Sequence, residues 1–548
     1  MKKKADMMIQ NAKIYTMAEE GQTAQCLVMR EGSFCYVGDE GGAREYSCTQ
    51  TLDMEGKTIL PGLGDSHLHL YAYCQNQTTV PLEEIRSIDQ LKEVLMEKAG
   101  ETPEGKWIKG TGFDQTKFEE NRMPCSKDLD EVSGQHPIVI RRCCLHVMIA
   151  NNKAMELAGI TKEMAEASGG LIELDKEGNL TGIFRETATQ VFDDIVPDPL
   201  EDPVLKKEIL IRVLKSMAAR GVTSIHTFAA HIWNYYEDLE TYQKLQEEGQ
   251  LPIRVQVSLD TFFQPSPEEK RRDPRERVRS GAYKIFTDGS LGSRSAALRE
   301  EYSDDPGNYG VMPDPEELRE KLEECWGLGL QPAIHAIGDK ALDITLDAIE
   351  DLLKKHPVNE KEEGSLAKVD PRLPIRLIHA QFTTPDQIRR LKALPVALDV
   401  QPVFLMTDLH WIEDRLGKDR INHTYLWRTL TEEGLILTGG SDCPVETWDP
   451  FVGIYAAVTR QDPEGNPPGG WKPEERVSIY QAIRMFTKNI PLASREQEWL
   501  GTIEAGKFAD FVVLDQDPFQ IPADKLKDIC ALRTFVGGEQ VFFLEEGR

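Results

Sequence analysis

The stretch ILPGLGDSHLHL, residues 59–70, sets two histidines one residue apart, directly after an apolar run and a Pro-Gly turn. Side chains at i and i+2 of an extended segment point to the same side, so His67 and His69 present their imidazoles together. Two imidazoles held that way are half of a metal site. Alone, the same pair is also an ordinary polar end to a strand. The rest of the chain decides between the two.

Seven further segments share that texture: short, apolar, and closed by a polar residue or a glycine turn. They are GVTSIHTFAA (221–230), PIRVQVSLD (252–260), GAYKIFTDG (281–289), GLQPAIHAIG (329–338), PIRLIHAQF (374–382), PVALDVQPVF (395–404) and GLILTGGSD (434–442). Amphipathic stretches such as ELREKLEECWGLG (317–329) and TPDQIRRLKAL (384–394) lie between them. Eight buried strands alternating with helices predict an α/β fold, a (β/α)8 TIM barrel. Both chain ends differ, with short β-rich runs and too little apolar surface for a domain each. They predict one small composite β-sandwich from residues 1–61 and 491–548, leaving 62–490 for the barrel. Residues 71–210 make an abnormally long connection after the first strand. It departs from the strand end bearing His67 and His69, the catalytic face of a barrel, and is expected to be a subdomain covering substrate.

Composition narrows the function. Against 64 Lys and Arg stand 92 Asp and Glu, a formal charge of -28. Such a surface repels phosphate backbones and anionic lipid, so neither nucleic acid nor membrane is expected as a partner. A small molecule is the expected partner, with a homodimer as the expected assembly. The basic start MKKKADMM lacks the apolar stretch of a signal peptide, and the 10 cysteines form no C-x-x-C. A reducing cytoplasm is the expected location.

The polar residues at the C-terminal ends of the strands are His67 and His69 (first), Lys284 (fourth), His335 (fifth), His379 (sixth) and Asp442 (eighth). In a barrel these ends converge on one mouth. Four imidazoles, a carboxylate and a lysine there suit one or two divalent metal ions, with zinc the expected metal. Each has a plain structural alternative: strand-end packing for the histidines, an Asx turn for Asp442. Lys284 shares a strand face with Ala282 and Phe286 and is expected to point inward with the core.

At this point the sequence resembles the amidohydrolase superfamily, nearest the branch called amidohydrolase family 3 or YtcJ-like. The resemblance spans essentially the whole chain and rests on LPGLGDSHLHL, YKIFTDGSLGSRSA, AIHAIGDKA, IRLIHAQFTTPDQI, GGSDCPVETWDP and GTIEAGKFADFVVLD. It implies a TIM barrel with a composite sandwich, and a lysine at position 284 bridging two metals as a CO2-derived carbamate. The competing reading is an unmodified Lys284 contacting substrate or Asp288 beside a single metal. The expected reaction is hydrolysis of a carbon–nitrogen bond other than a peptide bond, in an amide of a small molecule. Metal-activated hydroxide attacks the carbonyl, and Asp442 acts as base and then acid.

Ester or lactone hydrolysis uses the same hydroxide. Barrel deaminases resembling adenosine deaminase carry a Glu three residues after the fifth-strand His, whereas Gly338 stands there, followed by Asp339. A non-catalytic, metal-binding regulatory protein is the remaining rival. His146, Arg294 and Trp107 are expected substrate contacts. Phe113 and Phe118 share with Trp107 the alternative of core packing, and Arg294 that of a simple ion pair. His226 is read as a substrate contact or a satisfied polar residue; His136, His231, His356, His410 and His423 read as surface or loop residues.

Overall fold

Eight short apolar runs become the eight parallel strands of a TIM barrel: β1 (Leu63–Leu68), β2 (Val222–Ala229), β3 (Arg254–Leu259), β4 (Val278–Phe286), β5 (Pro332–Ala336), β6 (Ile375–His379), β7 (Val396–Val400) and β8 (Ile436–Gly439). This computed structural model describes residues 2–142, 147–168, 171–192, 195–229, 232–259, 274–357, 372 and 374–545. Neighbours pair in chain order, with Lys284 opposite Ala333, Phe286 opposite His335 and Val400 opposite Gly439. β6 and β7 are buried at every residue, as strands covered on both faces must be. The first and last strands meet at the top, where Asp442 N–H donates to His67 O and His69 N–H donates to Cys443 O, both at 2.7 Å. Gly440 permits that approach: a Cβ there would lie 2.9 Å from the His67 nitrogen.

The helices between strands follow from caps and periodicity. Pro315–Gly327 starts on Asp314, whose side chain accepts from the N–H groups of Glu316 and Glu317. Asp339–Lys355 buries Leu342, Leu346, Ile349 and Leu352, a stripe at helical spacing. Pro385–Lys392 opens with a capping box in which Thr384 N–H donates to the Gln387 side chain at 2.9 Å. No helix among the described residues is long and apolar enough to cross a membrane.

Both chain ends supply two further sheets. One orders Ser33–Gly38, Cys26–Arg30, Lys3–Gln10 and Tyr46–Asp53; the other orders Glu539–Phe543, Ala531–Val536, Phe511–Leu514, Thr58–Pro61, Lys13–Tyr15 and Thr23–Ala24. Ile9, Leu27 and Phe34 of the first pack with Ile14, Ile59, Phe511 and Phe535 of the second. The C-terminal strands begin only at Phe511, while Asn489–Ser494 is helical. Arg254, at the start of β3, holds Asp510 through two hydrogen bonds of 2.7 and 3.0 Å. The sandwich is thereby tied to the strand starts, the end opposite the histidines.

Residues 71–210 form a compact unit of their own. Its six-stranded sheet runs Ile172–Leu174, Leu180–Arg185, Val147–Ala150, Ile138–Arg142, Ile108–Phe113, Val80–Pro81. Phe113 and Phe118 are buried in its core, and Trp107 packs, partly buried, against a second cluster around Phe184 and Phe192.

Candidate metal centre

The interior of the barrel is filled in layers by alternate residues of each strand. On β4 these are Ala282, Lys284 and Phe286. Ala282 and Lys284 are 2% exposed, but Phe286 is 55% exposed. Phe286 therefore does not join the core as the alternation suggests, because the strand has by then risen past the packed interior. Its ring instead lies 5.6 Å from that of His335.

His67 and His69 project together from β1, their rings 5.3 Å apart and nearly perpendicular. Asp442 follows β8 in a left-handed backbone conformation (φ 57°), uncommon for a residue with a side chain. That twist puts its Oδ1 3.2 Å from Nε2 of His67 and 3.2 Å from Nε2 of His69. Among the described residues this is the one group of three His, Cys, Asp or Glu side chains whose ligand atoms all lie within 4.8 Å of one another. A tetrahedral ion with bonds of about 2.0–2.1 Å separates its ligand atoms by roughly 3.3 Å, so the donor set fits a divalent cation without rearrangement.

Lys284 Nζ stands 3.0 Å from Nε2 of His67, between the faces of Phe228 and Phe286. The His67 nitrogen thus faces an ammonium and a carboxylate at once, while its other nitrogen, Nδ1, is buried without a hydrogen-bond partner. One imidazole nitrogen cannot both donate to Asp442 and accept from Lys284. A cation lying between the lone pairs of His67, His69 and Asp442 removes the conflict.

His379 ends β6 with φ 74°, which turns its side chain out of the strand's alternation. Gln401 settles its tautomer. The Gln401 amide nitrogen donates to Asp399 O at 2.9 Å, so its oxygen accepts, and His379 Nδ1–H donates to it at 2.6 Å. Nε2 keeps the lone pair. His335 Nε2 lies 3.2 Å from Gly289 O, which makes it the protonated nitrogen and Nδ1 the lone-pair one. The rings of His335 and His379 are 4.5 Å apart, and those of His67 and His379 are 5.9 Å apart.

Burial pushes the His67 pKa well down, aided by the Lys284 ammonium. Burial does the same to His379, aided by His335. Both imidazoles are neutral, the form that binds metals. For Asp442 burial opposes ionisation, but the hydrogen bonds to His67 and His69 outweigh it and hold the carboxyl well below its usual range.

Other expected site residues fall elsewhere. Arg294 is held by Asp304 through bonds of 3.0 and 2.8 Å, an ion pair. His146 and His231 lie outside the described residues. His226 is buried, with Nδ1 unpartnered. His136, read as a surface residue, is buried within residues 71–210, its Nδ1 3.0 Å from Lys106 O. Asp288, weighed as a partner for Lys284, accepts the N–H groups of Ala297, Ile337 and Gly338 at 2.8–3.0 Å and lies 3.3 Å from His335. It clamps the loops after β4 and β5 and orients His335.

Asp65 and Gln401 escaped the sequence reading. Asp65 accepts the N–H groups of His67 (2.9 Å) and Ser441 (3.2 Å), and burial raises its carboxyl to about 7. Its place two residues before His67, on the same strand face, was a usable signal.

Beyond β7 the helix Phe404–Asp408 stacks Phe404 on His379 and buries Asp408, which accepts from Gln381 Nε2 at 2.6 Å and from Tyr425 OH. Burial pushes Asp408 up to about 7, and Glu446, which its charge affects, also to about 7. An unfolded Asp titrates near about 3.9. The folded state therefore binds a proton that the unfolded state releases. The stabilisation is complete below about pH 4 and is lost as pH rises through about 7. The expected result is a melting temperature that falls less between pH 5 and 8 in Asp408→Asn than in the unaltered protein; parallel thermal melts across that range check it.

The barrel agrees with the comparisons. The chain belongs to the Amidohydrolase family, whose profile matches residues 50–542. It is 32% identical to YtcJ of Bacillus subtilis (strain 168) over 96% of this chain and 98% of that one. It is 28% identical to an N-substituted formamide deformylase of Arthrobacter pascens, over 97% of each. A crystal structure of an uncharacterized metal-dependent hydrolase from Pyrococcus horikoshii ot3 superposes with a TM-score of 0.74 at 30% identity, covering 94% of this chain and 99% of that one.

Proposed function

We propose that the protein is a metal-dependent hydrolase of carbon–nitrogen bonds other than peptide bonds, acting on an amide of a small molecule. The observation that carries this reading is the meeting of His67, His69 and Asp442 at 3.2 Å at the mouth of the barrel. The likeness to a formamide deformylase supports the choice of bond. A divalent ion held here, for which zinc suits the nitrogen-rich donors, supplies Lewis acidity and lowers the pKa of a nearby water.

Asp442 accepts the proton of that water as the oxygen attacks the carbonyl carbon, then returns it to the leaving nitrogen. The ionised carboxylate is the form that can accept it, and a cation beside Asp442 favours that form. His335 and His379 hold a second ion or face the substrate oxygen. Lys284, once deprotonated, adds CO2 through its Nζ and loses a second proton. The resulting anionic carbamate replaces a repelled ammonium with oxygen ligands beside His67. Cys26 and Cys325 are buried thiols outside any disulfide, which suits a reducing cytoplasm.

Deamination by the adenosine deaminase route finds no shuttle in the expected place. Gly338 offers only its N–H, bonded to Asp288, and the Asp339 carboxylate accepts the Arg299 N–H at 3.0 Å.

The test is a panel of N-formyl and N-acyl amines with zinc-reconstituted protein, beside esters of the same acyl groups. Amide turnover that disappears on chelation and returns with zinc is the expected result. Turnover of esters alone contradicts the assignment of the bond.

A further inference from the structure

We propose that a buried ionic knot directly beneath the candidate metal centre, built by Arg376 and Asp399, positions its ligands, which makes these two positioning residues rather than core filler. This rests on the metal-centre reading above. Arg376 of β6 donates from Nε to Asp399 Oδ2 at 2.8 Å and from its terminal nitrogen to the same oxygen at 2.6 Å. The same terminal nitrogen donates to Ser66 O at 2.6 Å. Thr438 of β8 donates to Asp399 Oδ1 at 2.6 Å and lies 3.0 Å from the Ser66 hydroxyl. All four residues are 0% exposed.

The knot therefore joins β1, β6, β7 and β8, and each member adjoins part of the site. Ser66 precedes His67, and Arg376 lies three residues before His379. Asp399 lies two before Gln401, and its carbonyl accepts the Gln401 amide that fixes the His379 tautomer. Thr438 lies four before Asp442. The Arg376 guanidinium also sits 5.9 Å from the Phe228 ring, which packs 4.3 Å from His67.

Stability alone does not account for it. Removing two charges from water is costly, and apolar side chains of similar volume commonly pack an interior at least as stably. Beside the knot, Phe228, Ala282, Ala333 and Ile378 form an apolar cluster. A planar, forked guanidinium gives what apolar packing cannot: fixed directions to a carboxylate and a peptide carbonyl at once. Groups that hydrogen-bond a metal ligand directly typically control affinity by about 10- to 100-fold; the knot acts one bond further back, through Ser66 and Gln401, so its effect is expected at the low end of that range.

The experiment measures zinc affinity by chelator competition, with melting temperature alongside, for full-length protein. Thr438→Val removes the hydroxyl that joins Asp399 and Ser66, and Arg376→Met with Asp399→Leu removes both charges together, leaving neither stranded. The expected result is folded protein whose zinc affinity is about 10-fold weaker in the double variant, and measurably weaker in Thr438→Val, with kcat at limiting zinc falling in step and KM nearly unchanged. Unchanged zinc affinity in Thr438→Val, or in a folded double variant, overturns the inference. If the double variant does not fold, Thr438→Val decides alone. Unaltered protein that binds no zinc would refute the metal-centre reading itself, a separate outcome.

Discussion

Asp442→Asn is expected to leave zinc largely in place and to cut kcat by about 10²–10⁴-fold, the range that a positioned acid–base contributes. The amide oxygen still offers a ligand atom and His67 and His69 remain, so the ion has a site. Lost is an anion able to take a proton from water. With a cation beside it that carboxyl is favoured in its ionised form, the one that accepts a proton. The measurement pairs zinc content with kcat on the amide found by the panel. Retained zinc with unaffected turnover would remove Asp442 from the acid–base role.

His67→Ala is expected to act one step earlier, abolishing zinc binding and with it turnover. His67 is the fully buried member of the donor group and lies at the junction of Asp442, Lys284 and Phe228. Deleting its ring leaves His69 and Asp442 as a two-point site and removes the nitrogen that lies 3.0 Å from Lys284 Nζ. Zinc content is expected to fall to background after dialysis, and added zinc at micromolar concentration is expected to restore no turnover. His69, with its side chain 31% exposed, tolerates loss better, because water can take its place. A His67→Ala protein holding stoichiometric zinc would show that the ion lies elsewhere.

How much of this is legible in sequence depends on what each residue's position encodes. Strands such as Ile375–His379 and Val396–Val400 are readable because burial on both faces demands a mostly apolar run, and the run ends where the barrel opens. The His67 and His69 pair is readable because alternation fixes its geometry. Asp442 and His379 are readable as strand-end polar residues, but not the left-handed turns that aim them, since positive φ is uncommon outside glycine even though Asp and His adopt it more readily than most.

Arg376 and Asp399 were hidden inside apparently ordinary strands. A single polar residue in IRLIH or VALDV shows its partner only once β1, β6, β7 and β8 are side by side. Gln401 failed to register for a related reason: its value lies in fixing the tautomer of a histidine on the next strand. Phe286 shows the opposite failure. Alternation predicted its face correctly, but not that the strand rises out of the packed layer before reaching it.

The most direct measurement is anomalous diffraction at the zinc edge from crystals of zinc-loaded protein. The account predicts a peak about 2.0–2.1 Å from Nε2 of both His67 and His69, with an Asp442 oxygen in the same shell. A map with those three side chains turned apart, or with zinc bound only at some other place on the chain, would contradict it.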